Sequence, residues 1–307
     1  NTATRGARKE FPAVAVIVTE SNKVTIYDGD DPDMPMWMVF DGGDRADMIY
    51  GLLDNSQQAT KMLNGLLVSV GNDSGGQGGT FPISFIADNG YFLSDASNSP
   101  YKYKGNIEQR NDGLNISAGE SGNYGITTSR FVNDVAMTVL PNAPIDAATG
   151  LPVPTIAVAT AGGVSVIKDD GTVVDIKATN SYFYYSHQVS FTDDGKIILL
   201  YSYSGVADDT HVYYTEIPSA DKTFTAHSSA INANLDSNSY VTFLPQYSNQ
   251  GSSLGGSKIL ATNQFYGGNA AGLVQYDPEN DLTKSLAADI TSTYNTGWMN
   301  GDIKLAT

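Results

Sequence analysis

The stretch that most constrains the fold is residues 154–176, PTIAVATAGGVSVIKDDGTVVDI, which reads as three strands joined by two tight turns. An apolar run over 155–160 meets Gly162-Gly163, an alternating strand follows over 164–168, and Asp170-Gly171 leads into a third strand over 172–176. Gly-Gly and Asp-Gly supply the positive φ that two-residue hairpin turns require, and β-branched residues fill the strands between them. The segment therefore predicts an antiparallel meander.

The same pattern recurs along the chain. Residues 12–27 give an apolar strand, a Ser21-Asn22 turn and an alternating strand over 23–27, after which Asp28-Gly29 stand where Asp170-Gly171 stand in the later copy. The continuous apolar run MWMVF at 36–40 predicts a buried strand. Residues 82–94 form a further hairpin turning on Asn89-Gly90, and 188–203 another turning on Asp194-Gly195, with 210–217 as an outer strand. Strands are also expected at 66–70, 133–140, 239–244, 258–263, 271–276, 282–286 and 301–306. A short helix is expected over 56–62, capped by Asn55 or Ser56 and stopped at Asn64-Gly65. Glycine-rich 71–79 reads as a loop, 95–130 as a polar insertion outside the core, and 141–152 as a Pro/Gly-rich linker.

Small antiparallel units in series cannot each bury two faces alone, so they must stack on their neighbours. The fold class expected is all-β, a β-propeller of about five blades with hairpins beginning near residues 12, 82, 154, 188 and 258; six blades are possible. The segments at 64–68, 133–137 and 300–304 look alike and suggest an innermost strand. On that reading 301–306 pairs with the N-terminal hairpin and closes the ring, removing an open edge. A β-sandwich is the alternative. The domain plan is an arm at 1–10, carrying Arg5, Arg8 and Lys9, followed by one domain over 11–307.

Composition narrows the function classes. The formal net charge of −16 disfavours binding to nucleic-acid phosphates, which depends on cationic contacts that release counterions; an acidic lining that repels a passing DNA strand is a separate idea that sequence does not place. With no cysteine, disulfides, thiolate nucleophiles and cysteine zinc sites are excluded. No apolar run reaches the length of a membrane span. The first residue is Asn1, and the last, Thr307, falls in an expected strand, which suggests that the chain continues into something longer.

Candidate site residues are few. Asp28, Asp30, Asp31 and Asp33 could present oxygen ligands to calcium, although their spacing is not that of an EF-hand loop and the same residues make ordinary polar turns. His187, His211 and His227 lack the spacing of a helical zinc site and are expected to be structural or exposed. Tyrosines concentrate at 182–185, 201–203 and 213–214; packing between blades is the ordinary use for them, and Tyr182, Tyr184 and Tyr213 are the candidates for stacking on a sugar ring. No motif selects a pair of carboxylates for glycoside hydrolysis among the 33 acidic residues. No cofactor other than calcium is indicated.

Residues 133–173 (NDVAMTVLPNAPIDAATGLPVPTIAVATAGGVSVIKDDGTV), 294–307 (YNTGWMNGDIKLAT) and 24–40 (VTIYDGDDPDMPMWMVF) resemble virion proteins of tailed bacteriophages, particularly marine ones. The resemblance covers about a quarter of the chain and carries no catalytic motif. It implies a non-enzymatic tail or tail-fibre structural protein in the virion, mediating assembly and host attachment. Its partners would be other tail proteins and further copies of itself. A module binding host-surface glycans is the alternative function, and a polysaccharide-degrading glycosidase the third.

Overall fold

The structure, a computed structural model, describes residues 11–20, 23–42, 48–49, 59–72, 78–93, 101–114, 116–117, 127–147, 150–178, 184–203, 210–224, 240–243, 265–269, 272–276 and 286–289. Every regular element among them is a strand, and the strands fall into five sheets. The first holds β1 (Ala15–Glu20), β2 (Lys23–Asp28) and β3 (Met36–Asp41). The second runs in order through β4 (Ala59–Leu63), β5 (Leu66–Asn72), β6 (Gly78–Ser84), β7 (Asn89–Phe92), β8 (Tyr101–Tyr103) and β9 (Ile116–Ser117). The third has β10 (Val132–Thr138), β11 (Thr155–Thr160), β12 (Gly163–Ile167) and β13 (Val173–Ala178); β17 (Lys222–Phe224) lies parallel to β13 at its edge. The fourth is β14 (Tyr184–Phe191), β15 (Ile197–Tyr203), β16 (Thr210–Thr215) and β18 (Tyr240–Phe243). The fifth is β19 (Phe265–Asn269), β20 (Gly272–Tyr276) and β21 (Leu286–Asp289).

The packing explains the apolar runs. Along β11, Ile156 and Val158 enter a core shared with Val68 and Val70 of β5, while Ala157 and Ala159 enter another shared with Val189, Phe191, Ile197 and Leu199 of the fourth sheet. Successive side chains on a strand point to opposite faces, so a sheet buried on both sides needs apolar residues at every position. A third core joins the first and second sheets through Val24, Ile26, Met38, Phe40, Leu67, Phe81 and Ile83. The first four sheets are thus layered in chain order, each on the next. Burial of each valine, leucine, isoleucine, methionine or phenylalanine among them stabilises the fold by about 1.5–3 kcal/mol. Among the described residues the sheets are open, with no strand closing them into a ring; the expected closing strand at 301–306 lies outside those residues, as do the arm at 1–10 and the expected strand at 258–263.

Turn chemistry holds in several places and moves in others. The loops at 168–172 and 192–196 share an Asp-Asp-Gly core and one geometry: the Lys168 and Thr192 N–H groups donate to the Thr172 and Lys196 carbonyls, and Gly171 and Gly195 sit at φ 81° and 80°. The turn after β11 is Ala161-Gly162 rather than Gly162-Gly163, since Thr160 pairs with Gly163. The helix expected over 56–62 is replaced from residue 59 by β4; Asn64 (φ 50°) and Gly65 (φ 77°) are the centre of a two-residue hairpin between paired Leu63 and Leu66, not a helix stop. Residues 56–58 lie outside the described set. Asn89-Gly90 is likewise not a turn: it begins β7, and the turn is 85–88. The loop expected over 71–79 narrows as β5 and β6 extend into it, their outermost pair being Asn72 and Gly78.

The likeness of 64–68 to 133–137 is not a structural equivalence. Leu66 and Leu67 lie in the second strand of their sheet, whereas 133–137 lies in the first strand of the third; residues 300–304 are outside the described set. The polar stretch at 95–130 contributes two buried side chains to the core where it is described. Tyr103 and Ile107 are buried against the first two sheets, the Tyr103 hydroxyl donates to the Gln109 carbonyl, and Arg110 and Asn111 bind the outer edge of β3 at Val39 and Asp41. Few apolar residues suffice there, because one ring and one aliphatic chain fill the space and side-chain hydrogen bonds do the rest.

Candidate functional site at the seam of the first strands

β4, β10 and β14 are each the first strand of their sheet, and each lies beside the next; β1 touches β4. No backbone ladder joins these neighbours, so side chains must make the links. The Thr19 hydroxyl of β1 donates to the Thr60 hydroxyl of β4 at 2.8 Å, and Thr60 in turn shares a 3.0 Å hydrogen bond with the Ser69 hydroxyl of β5. From β10, the Asn133 amide donates to the Ser186 carbonyl of β14 at 2.8 Å, and an Asp134 carboxylate oxygen accepts the Val189 N–H at 3.1 Å.

Two bulges shape this junction. Val132 pairs with Thr160 and Asp134 with Ala159, which leaves Asn133 as an extra residue in β10. Ser186 pairs with Tyr201 and Gln188 with Leu200, leaving His187 as the extra residue in β14. A bulge bends its strand and re-aims the side chain there. Both first strands are bent at the point where they meet.

The electrostatics follow from burial. Desolvation pushes the Asp134 carboxyl up to about 6, against the opposing pull of hydrogen bonds from the Val189 and Val135 N–H groups and of the positive charge of Lys61 on β4. Burial alone pushes the His187 imidazole down from its ordinary value. One carboxyl and one imidazole at the same junction are therefore shifted in opposite directions by the same cause. Chemically the Asp134 carboxyl could take up or release a proton at about pH 6, yet its oxygens already accept backbone N–H groups, as a tie between sheets does.

Of the residues singled out from sequence, His187 lies at this seam, and the other described ones fall elsewhere. In the turn after β2, Asp28 accepts the Asp30 N–H at 3.1 Å, Asp30 accepts the Ala13 and Val14 N–H groups at 2.8 and 3.0 Å, and Asp31 accepts the Asp33 N–H at 3.0 Å. These carboxylates pin the turn and the entry to β1. No group of three or more metal-ligating side chains is found among the described residues. Tyr182 and His227 lie outside those residues. Tyr184 pairs with Tyr203, Tyr213 with Leu199 and Val241, and His211 with Tyr201 and Phe243, so the structure puts Tyr184 and Tyr213 in one sheet, two strands apart. Sequence reasoning passed over Asp134, Asn133 and Lys61. The available signal was a pair of polar residues, Asn133-Asp134, opening an otherwise apolar strand.

No protein-family model matches the chain, and no curated protein matches it.

Proposed function

We propose that the chain is a non-enzymatic structural module of a tailed-phage virion, in the tail or a tail fibre, whose sheets are the blades of a propeller-like ring. The observation that carries the structural part is the use of the seam's polar side chains. Asn133, Asp134 and Thr19 each bind a neighbouring sheet, in positions where a catalytic site would leave groups directed at a substrate. The ring is supported by two features: layering of sheets in chain order with apolar cores between them, and adjacency of the first strands, as around a propeller axis. Residues 301–306 would supply the closing strand. The assignment to a virion rests on the resemblance at 24–40, 133–173 and 294–307. Contacts with other tail proteins and with copies of itself would use the outer surface of the ring.

Immunogold labelling of the chain on purified phage particles tests the proposal. Gold along the tail or its fibres is the expected result. Label confined to fibre tips, together with retention of the purified chain on a host-glycan column, would replace assembly with receptor binding; particles without label would overturn the virion assignment. Negative-stain images of the purified chain test the ring separately, since a propeller gives a disc with a central depression and a linear stack gives a rod.

A further inference from the structure

We propose that the chain associates with further copies of itself head to tail, through the two opposite ends of the third sheet. This rests on the structural-module reading above and narrows its self-contacts to those ends. One end lies where β10 starts and β11 turns into β12. There Phe131 is 40 % exposed, and the Arg130 guanidinium stacks over its ring at 5.5 Å from the centroid. The segment is pinned to the sheet: the Thr128 N–H donates to the Ser165 hydroxyl at 2.8 Å, the Thr128 and Thr160 hydroxyls share a 2.6 Å hydrogen bond, and the Ala161 N–H donates to the Phe131 carbonyl at 2.9 Å. None of the described ion pairs involves Arg130, and neither 127–132 nor 160–163 contains an acidic residue.

The other end lies where β10 stops and β11 begins. The loop at 139–154 carries Ile145, 61 % exposed, and Leu151, 42 % exposed. Backbone hydrogen bonds of 2.9 Å hold them in place, from the Asp146 N–H to the Leu151 carbonyl and from the Val153 N–H to the Pro144 carbonyl. Exposed Ile86 of the second sheet lies against Gly65, whose neighbour Asn64 donates to the Pro152 carbonyl at 2.7 Å, so it belongs to the same end. So do the Asp-Asp-Gly loops at 168–172 and 192–196, the first by the β11–β12 register and the second by the approach of Gly195 to Leu140. These two loops and Asp146 bring five aspartates and two lysines to this end. Apolar side chains held rigid in the open lose little entropy on binding. The two ends complement each other, with a ring and a cation on one, and aliphatic side chains and excess carboxylate on the other. Between chains of net charge −16, joining like ends sets acid on acid or cation on cation, whereas joining opposite ends pairs unlike charges. Every such contact leaves one end of each kind open, so its repetition gives a closed ring or a filament.

The test mixes two variants of the full chain and follows mass by sedimentation velocity in the micromolar range. Arg130→Glu spoils one end and Ile145→Asp the other, and neither side chain belongs to a core. The wild type should run above the monomer, and each variant alone should associate at least ~30-fold more weakly. An equimolar mixture of the two should recover a heterodimer and nothing longer, because the intact Arg130 end of one variant meets the intact Ile145 end of the other. Phe131→Asp and Leu151→Asp repeat the mixing with an independent pair. A monomeric wild type, variants that still assemble alone, or mixtures of both pairs that stay monomeric would each overturn the head-to-tail contact. Association is read on the purified chain, so its failure is distinct from failure of the virion assignment, which the gold labelling reads.

Discussion

Among the described residues Asn-Gly occurs at 64–65 and again at 89–90, and these two copies do opposite things. At 64–65 both residues take positive φ and reverse the chain within two residues. At 89–90 the dipeptide is extended, paired with Ile83 and Ser84, and the reversal happens over 85–88 with Asp88 at φ 52°. The difference lies in what surrounds them. Phe85 stacks edge-on with Phe11 and Phe40, so the chain must carry its ring into the core before it turns. Gly90 then passes so close to Met48 that a Cβ would stand 2.8 Å from its Cγ. One glycine supplies a backbone angle and the other supplies room. Asn-Gly permits a tight turn, and burial of the neighbouring ring decides whether the permission is used.

The largest test of this contrast is Phe85→Ala, which removes the ring that sets the turn. It should cost about 3–5 kcal/mol in denaturant unfolding; a loss under about 1 kcal/mol would mean that the aromatic cluster does not determine the register. Next is Gly90→Ala, expected to cost about 1–3 kcal/mol because the added methyl meets the buried Met48 chain. Gly65→Ala should cost about 1–2 kcal/mol for a different reason, the left-handed angle, with the half-exposed Ile86 side chain swinging aside. The two glycines separate when asparagine is used instead. Gly65→Asn should recover part of the loss, since asparagine tolerates that angle, whereas Gly90→Asn should be worse than Gly90→Ala; equal behaviour at the two sites would erase the distinction. Smallest is Asn89→Ala, which should change stability by no more than about 0.5 kcal/mol, because no turn depends on it.

Much of the fold could be read because the signals were local. The Asp-Asp-Gly loops, the run at 155–160 and the hairpin at 15–28 each state their structure within a few residues, and the hairpins expected from near 12, 82, 154 and 188 fall one in each of the first four sheets, while the start near 258 lies outside the described residues. What escaped depends on contacts between distant residues. Tyr103 and Ile107 enter the core from a stretch whose composition is polar, because a few residues anchored by Asp88 and by Arg110 are enough. The bulges at Asn133 and His187 are invisible to a count of alternation, since one extra residue leaves each flanking run intact. Asp134 was missed for the same reason. Its chemistry comes from the sheet on the far side of the seam, which no spacing in its own segment reveals.

The split allegiance of β11 has a consequence for how the molecule tolerates change. Ile156 answers to the second sheet and Ala157 to the fourth, so the strand is a party wall whose two sides are written in alternating letters. Enlarging one letter leaves its neighbour in sequence untouched and disturbs a different room of the building. Loss of the fourth sheet would leave Ala157, Ala159, Val164 and Val166 bare on a single face, and a wall bared in that way adheres to whatever apolar surface comes next. The number of sheets is therefore guarded by solubility as well as by folding, and a shortened relative would have to recolour every second residue of its new outer wall.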